Sequence, residues 1–386
     1  MNGKTASILN MIKEMVHIPT QGGIDDTEPM LRYLTDWYAS RGMKGNILKD
    51  ENGKNCAFIF ILGEGDGPLY CLNACGDTAD IGNPAEWSRD PFSAEEEEGW
   101  LYGRGSCDSR AGVAIFSHIL HDLFLEKSLT SGRLAVMFDV DEHTGNFGGV
   151  KALVRENPDL AGVMIGYPGF DEVVCGARGF YRVELVVSGK SGHTGMAGDN
   201  EQNALRKGAA LIEELYSREL SALEDKDFPF GPKLTVTKMR GGNGFSVVPD
   251  DCRILVDVRL TNTFDAQKAS GLLCDAAAAV DERFPSPHPT AVNEKGSWPP
   301  YVLPSSSVVA SALHKGASSI TGRDIPRVVC GPSNIGNYLF SLGIEATCGF
   351  GVKNRNFHGI DECIEIVTID PVYRSYREAV DILFGL

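Results

Sequence analysis

Up to Asp141, short apolar runs closed by glycine or proline alternate with stretches whose apolar residues recur every three or four positions. That alternation leaves few folds open. "CAFIFIL" (56–62), "LYCLNA" (69–74) and "GRLAVMFDVD" (132–141) read as strands. "TASILNMIKEMVHI" (5–18), "EPMLRYLTDWYASRG" (28–42) and "SRAGVAIFSHILHDLFLEK" (109–127) read as helices. Strands interleaved with helices imply an α/β domain whose mostly parallel sheet is covered on both faces. In such sheets, ligand sites collect at strand ends and in the loops that follow.

The pattern changes after Gly176. "GFYRVELVVSGKSGH" (179–193) alternates every second residue, and "QNALRKGAALIEELYS" (202–217) is helical. "PKLTVTKMRGG" (232–242) and "CRILVDVRLT" (252–261) read as strands, and "FDAQKASGLLCDAAAAVDERF" (264–284) as a helix. This order describes a small two-layer, ferredoxin-like α+β unit. The Pro/Ser-rich segment 285–307 closes it; the α/β pattern resumes with "VVASALHKGASSI" (308–320) and ends in a helix near 370–385. The 386 residues exceed the ~150 of one typical domain. The expectation is a catalytic domain of residues 1–177 and 293–386, with 178–292 inserted as a lid or dimerisation domain.

The net charge of −16 comes without any Lys/Arg block, which argues against a nucleic-acid partner. No leader pattern is seen in the first 60 residues, and no run approaches the ~20 apolar residues of a membrane span. The ten cysteines form no CxxC pairs; Cys56, Cys71, Cys274 and Cys330 lie in apolar runs, where Cys acts as a small hydrophobe. A reducing, cytoplasmic setting is expected.

Four clusters follow a strand or open a loop: "ACGD" with Cys75 and Asp77, "GRGSCDSRAG" with Asp108, "DVDEHTG" with Asp141, Glu142 and His143, and "RNFHGIDE" with His358. A carboxylate and two imidazoles from separate loops make three of the four ligands of a catalytic zinc site. Glu142 is the natural group to take a proton from water there. Taken singly, each cluster has a plainer reading: Asp108 as a helix N-cap, Asp-Glu-His as a solvated turn, His358 as a surface residue.

Together and in this order they resemble the zinc aminoacylase, acetylornithine deacetylase, succinyl-diaminopimelate desuccinylase and carboxypeptidase G family of co-catalytic metallohydrolases. "EWSRDPFSAEEEEGWLYGRGSCDSRAG" (86–112) follows the family's "W…DPF…dG.lYGRG..D.K.G" nearly throughout. "DEHTGNFGG" (141–149) stands for "DEE.G..G", "GYP" (166–168) for "GEP", and "GKSGH" (189–193) for the "GK.aH" motif opening the inserted domain. "VVPD" (247–250) with a downstream "D.R" (257–259) and "FHGIDE" complete the likeness.

The resemblance implies two metals sharing Asp108, one also held by Cys75 and Tyr167, the other by His143 and His358. The first of these sets has lost the family's histidine and its acid, and tyrosine is a poor ligand because its phenol titrates near ~10. One divalent cation is therefore expected, zinc first and manganese or iron(II) next, on Asp108, His143 and His358, with a second cation on Cys75, Asp108 and Tyr167 as the less favoured alternative. Asp77 keeps the position that orients the first-site histidine in relatives. His193 matches a histidine that reaches across a homodimer to the substrate carbonyl, and Arg259 an arginine that meets substrate carboxylate. "CGPSNIGN" (330–337) replaces the family's "GGTDA", and Ser246 replaces the Asn of "NVVP", so Ser333, Asn334 and Ser246 become substrate-binding candidates. The function implied is hydrolysis of an amide-type carbon–nitrogen bond in a small carboxylate-bearing substrate, an N-acyl amino acid or dipeptide, with Glu142 as general base. The alternatives are hydrolytic deamination of an aromatic amino-acid-like compound, and a non-catalytic ligand-binding relative.

Overall fold

The computed structural model describes residues 2–196, 202–220 and 225–386. They form two compact units: Met1–Cys175, Leu303–Val328 and Leu342–Leu386 in the first, Gly176–Val302 and Val329–Ser341 in the second.

The first unit is built on a six-stranded sheet. From edge to edge its strands are Asn46–Lys49, Asn55–Leu62, Arg133–Asp139, Leu69–Cys75, Leu160–Ile165 and Glu345–Cys348. The first two pairings are antiparallel and the remaining three parallel. Arg133–Asp139 and Leu69–Cys75 are buried at almost every position, which is why they read as unbroken apolar runs instead of alternating ones. Helix Ala111–Glu126 is buried continuously from Ala111 to Leu120. Its start lies hard against the sheet: a Cβ on Gly112 would come 2.5 Å from the Gly166 carbonyl oxygen. Helices Val308–Thr321 and Ile369–Phe384 pack on one another. A second, smaller sheet joins Asn354–Arg355, Cys363–Glu365, Trp100–Tyr102 and Glu96–Glu97. Its pairing of Cys363 with Tyr102 carries the late "FHGIDE" loop to the "GRGSCD" loop.

The second unit is an antiparallel sheet in the order Lys233–Gly241, Asp251–Leu260, Gly179–Ser188, Ala291–Trp298. Helices Ala204–Tyr216 and Ala266–Arg283 share a core with this sheet, in which Leu211 and Leu273 of the helices meet Val183, Leu185, Ile254 and Val256 of the strands. Two stretches lie across the expected boundaries. Strand Ala291–Trp298 continues past residue 292; most of its positions are exposed or half-exposed, so it shows no alternation. Val329–Ser341 also belongs here, and Asn337 explains it by donating to the carbonyls of Pro299 (2.8 Å) and Arg178 (3.1 Å). Cys56 and Cys71 are buried as expected, but Cys274 is exposed, lying off the helix face that buries Leu273 and Ala277.

Candidate metal centre

Three adjacent parallel strands deliver most of the site. Leu69–Cys75 pairs with Arg133–Asp139 on one side, with Cys75 opposite Asp139, and with Leu160–Ile165 on the other. Because all three run the same way, Cys75 and Asp77, Glu142 and His143, and Tyr167 leave the sheet at the same edge. The loop before helix Ala111–Glu126 adds Asp108. Its backbone is held from below by the fully buried Arg110, which donates to the Met15 carbonyl (2.7 Å), the Ile18 carbonyl (2.8 Å) and Thr20 Oγ1 (2.7 Å).

The late loop is tied to Asp108 by a buried ion pair between Arg104 and Glu362, 2.6 Å apart. Glu362 also accepts from the backbone N–H of Cys107 at 3.0 Å, and Arg104 donates to the His358 carbonyl at 3.2 Å. Asp108 Oδ2 then stands 3.1 Å from His143 Nε2 and 2.6 Å from His358 Nε2. One donor atom from each of these three side chains lies within 4.8 Å of the others. The expected ligand set is thus assembled in one place. Burial alone would push the Asp108 carboxyl up, but hydrogen bonds from the two imidazoles override it and hold it below the usual carboxylate range.

Glu142 is 2.8 Å from the Tyr167 hydroxyl, which donates to Oε1, and 3.2 Å from His143 Nδ1. Burial pushes its carboxyl up to about 7, with the charges of Asp108 and Asp77 adding to the shift and His143 and Tyr167 opposing it. Tyr167 is thereby engaged with the candidate base. Burial, then the Glu142 charge, push its phenol upward, which leaves it neutral and a weak ligand. Asp141 is a turn residue, accepting from Thr144 Oγ1 (2.6 Å) and the Gly148 N–H (3.1 Å).

Asp77 is packed against the imidazole cluster. It faces His143, accepting from its backbone N–H at 2.8 Å, with Oδ1 3.5 Å from Nδ1. Burial would lower the affinity of His143 for a proton, but Asp108 and Asp77 reverse this and raise it. Cys75 Sγ is 3.2 Å from Ser109 Oγ and 3.8 Å from Asp108 Oδ1. Burial and the Asp108 charge push that thiol well up. Asp77 Oδ1 and His143 Nδ1 are buried and make no well-aligned hydrogen bond, although Nδ1 lies 3.5 Å from Asp77 Oδ1 and 3.2 Å from Glu142 Oε2. Two imidazoles and a carboxylate whose donor atoms lie within 4.8 Å of one another form a set whose chemistry fits a divalent cation.

In the second unit, His193 and Ser246 are exposed neighbours on facing segments: His193 bridges to Val247, and the Thr194 N–H donates to the Ser246 carbonyl at 3.2 Å. Arg259 pairs with Asp257 at 2.7 Å and donates to Ser333 Oγ at 3.0 Å; Ser333 in turn donates to the Arg178 carbonyl at 2.7 Å. Asn334 is buried and accepts from the Gly336 N–H at 2.8 Å, the geometry of a helix cap. Arg104, Ser109 and the pairing of Tyr167 with Glu142 are parts of the site that the sequence reading missed. Only Arg104 carried a signal, inside the "GRG" motif.

Residues 72–382 match peptidase family M20/M25/M40. Succinyl-diaminopimelate desuccinylase 2 of Ruegeria sp. (strain TM1040) is 27% identical over 350 residues, covering 87% of this chain and 85% of that protein. A tripeptidase from Staphylococcus aureus subsp. aureus Mu50 superimposes with a TM-score of 0.79 at 17% identity, over 99% of both chains. The YXEP protein of Bacillus subtilis, described as a dinuclear metal-binding peptidase, gives 0.72 at 13% identity over 99% of both chains. The chain therefore belongs to peptidase family M20/M25/M40 and is a metal-dependent hydrolase.

Proposed function

We propose that the chain hydrolyses the amide-type bond of a small carboxylate-bearing compound, an N-acyl amino acid or a dipeptide. In this reading Asp108, His143 and His358 hold one divalent cation and Glu142 is the general base. The observation that carries it is the convergence of both imidazoles on Asp108, with Glu142 beside them. Two imidazoles and one carboxylate suit zinc, and also manganese or iron(II). Such an ion would supply Lewis acidity, making water easier to deprotonate and a carbonyl easier to attack.

The remaining work falls to side chains. Glu142 accepts the proton of the attacking water and hands it to the departing nitrogen, a role suited to a carboxyl whose affinity for protons is raised toward neutrality. The Tyr167 hydroxyl fixes the orientation of that carboxylate. His193, exposed in the inserted unit, is assigned to polarise the substrate carbonyl from the other copy of a homodimer. Arg259, with Ser333 beside it, and Ser246 are assigned to the substrate's carboxylate and polar groups. Asn334, buried as a cap, supports that segment from behind. The names of the relatives, a desuccinylase and a tripeptidase, support acylated amino acids and short peptides as the substrate class.

The test is a hydrolysis screen of N-succinyl and N-acetyl amino acids and dipeptides, with metal analysis of the same samples. The expected result is cation-dependent turnover that Glu142→Ala abolishes while the bound cation is retained. Turnover surviving in that variant rules out the assignment of the base; absence of bound metal rules out the site.

A further inference from the structure

The hydrolase reading uses the imidazole of His358 and leaves its neighbour Phe357 without a task. The two rings lie face to face, with centroids 4.3 Å apart and planes 13° from parallel, yet Phe357 is 46% exposed. Exposure also shows where the site opens. The side chains of Asp108 and His143 are only 6% and 7% exposed, whereas that of His358 is 47% exposed. A molecule approaching a cation held by these three side chains therefore comes in past His358 and the ring beside it. The backbone fixes that ring in place. Asn356 and His358, on either side of Phe357, both take the left-handed conformation, at φ of 56° and 58°, which residues with side chains seldom adopt. The Gly359 N–H donates to the Asn356 carbonyl at 2.7 Å, the Asn356 amide to the Asp361 carbonyl at 3.3 Å, and Arg104 to the His358 carbonyl at 3.2 Å. A single exposed phenylalanine is ordinary on a protein surface. One held at the mouth of a polar site by a strained, hydrogen-bonded loop calls for a contact there.

We propose that Phe357 selects the substrate: the group bonded to the scissile carbonyl is aromatic and lies against the exposed part of the Phe357 ring. This inference rests on the proposed function and names its substrate class, an amide whose acyl part carries an aromatic ring. The direction follows from Glu142. That residue hands its proton to the departing nitrogen, so the nitrogen lies on the Glu142 side, where Oε2 is 3.2 Å from His143 Nδ1. The other substituent of the carbonyl carbon then points away from Glu142, toward His358, whose ring centre is 5.4 Å from that of His143. Phe357 stands on that side, stacked on His358. Aromatic rings attract one another in offset and edge-to-face contact, because each has a negative face and a positive rim. A charged acyl group gains nothing comparable and loses hydration against the ring. The ring therefore favours aromatic acyl groups over short charged ones.

The test measures binding, so it does not depend on turnover. The full-length chain, loaded with zinc, is titrated in a calorimeter with acetohydroxamate and with benzohydroxamate, which present the same cation-binding head bearing a methyl or a phenyl group. The readout is the ratio of the two affinities in each variant relative to the unaltered chain, which cancels any intrinsic difference between the two compounds. Phe357→Ala is expected to lower the preference for benzohydroxamate by about 3- to 10-fold, the size of one aromatic contact. Phe357→Tyr is expected to keep the preference. Zinc affinity is expected to be the same in every variant, because a ring that only steadied His358 would change it. A ratio unmoved by Phe357→Ala, or both hydroxamates weakened in parallel with zinc, overturns the proposal and leaves the hydrolase reading standing. Binding of neither hydroxamate to the zinc-loaded chain overturns both. Circular dichroism checks that each variant folds. Phe357→Leu, which keeps bulk but not the ring, is also expected to lower the ratio and gives an independent reading if Phe357→Ala does not fold.

Discussion

At Glu142, burial and the charges of Asp108 and Asp77 oppose the nearby imidazole of His143 and the hydroxyl of Tyr167. The balance leaves a carboxyl that exchanges its proton at about 7, so the basic form accumulates as pH rises through that value. Turnover is accordingly expected to climb across this interval in a pH profile of kcat/KM, and Glu142→Gln to lower it by about 10²–10⁴-fold with the cation still bound. The same raised affinity has the opposite sign for the stability of the metal-free protein. Its contribution is fully present below the ordinary carboxyl range and is lost as pH rises through about 7. Tyr167→Phe removes the one hydroxyl donor to Oε1, which destabilises the ionised carboxylate and is expected to move the rising limb to higher pH. An unmoved limb would show that Tyr167 does not tune the base. At this scale the sequence singled out Asp108, Glu142, His143 and His358, which the structure brings side by side, but it did not say what Asp77 faces. The strand edge turns Asp77 toward the backbone N–H of His143, which no spacing along the chain reveals.

Two loops far apart in sequence are joined by the Arg104–Glu362 pair, both side chains of which are almost fully buried. Glu362 accepts from the N–H of Cys107, and Arg104 donates to the carbonyl of His358, so each partner grips the backbone at a different candidate ligand. Breaking a buried pair from one side leaves an uncompensated charge and costs about 3–5 kcal/mol. Arg104→Ala is therefore expected to lower the urea midpoint by an amount of that order and to weaken the cation, since it frees the His358 loop. Calorimetry of cation binding on the folded fraction separates the two effects; unchanged affinity would show that the loop is held by other means. The elements behind this arrangement were unevenly legible. The buried central strands and the long helices were found because uninterrupted apolar runs and 3.6-residue periodicity are strong signals. Strands Trp100–Tyr102 and Cys363–Glu365 are three residues each, too short for any period. Ala291–Trp298 was hidden for another reason: as an edge strand flanked by prolines it buries little, and its composition resembles a loop.

Across the whole molecule, the candidate ligands Asp108, His143 and His358 come from loops that only the folded first unit assembles, the first and last being 250 residues apart in sequence. An unfolded chain offers them no common geometry, so a cation that binds them stabilises the native state by mass action, about 2.7 kcal/mol when its free concentration is a hundred times its dissociation constant. The second unit has its own core of Val183, Leu185, Val256, Leu211 and Leu273, and none of these ligands. Added cation is therefore expected to raise the thermal midpoint of the metal-stripped protein. Hydrogen exchange should locate the gain in protection in strands Leu69–Cys75 and Arg133–Asp139 of the first unit, and not in Asp251–Leu260 of the second. His358→Ala should abolish the shift that manganese produces, because manganese lacks affinity for sulfur and has no other assembled oxygen–imidazole set on offer among the described residues. A midpoint indifferent to cation, or protection gained equally in both units, would mean that the three side chains converge without forming a binding site. The hydrolytic chemistry assigned to Glu142 would then lack the ion that makes its water reactive.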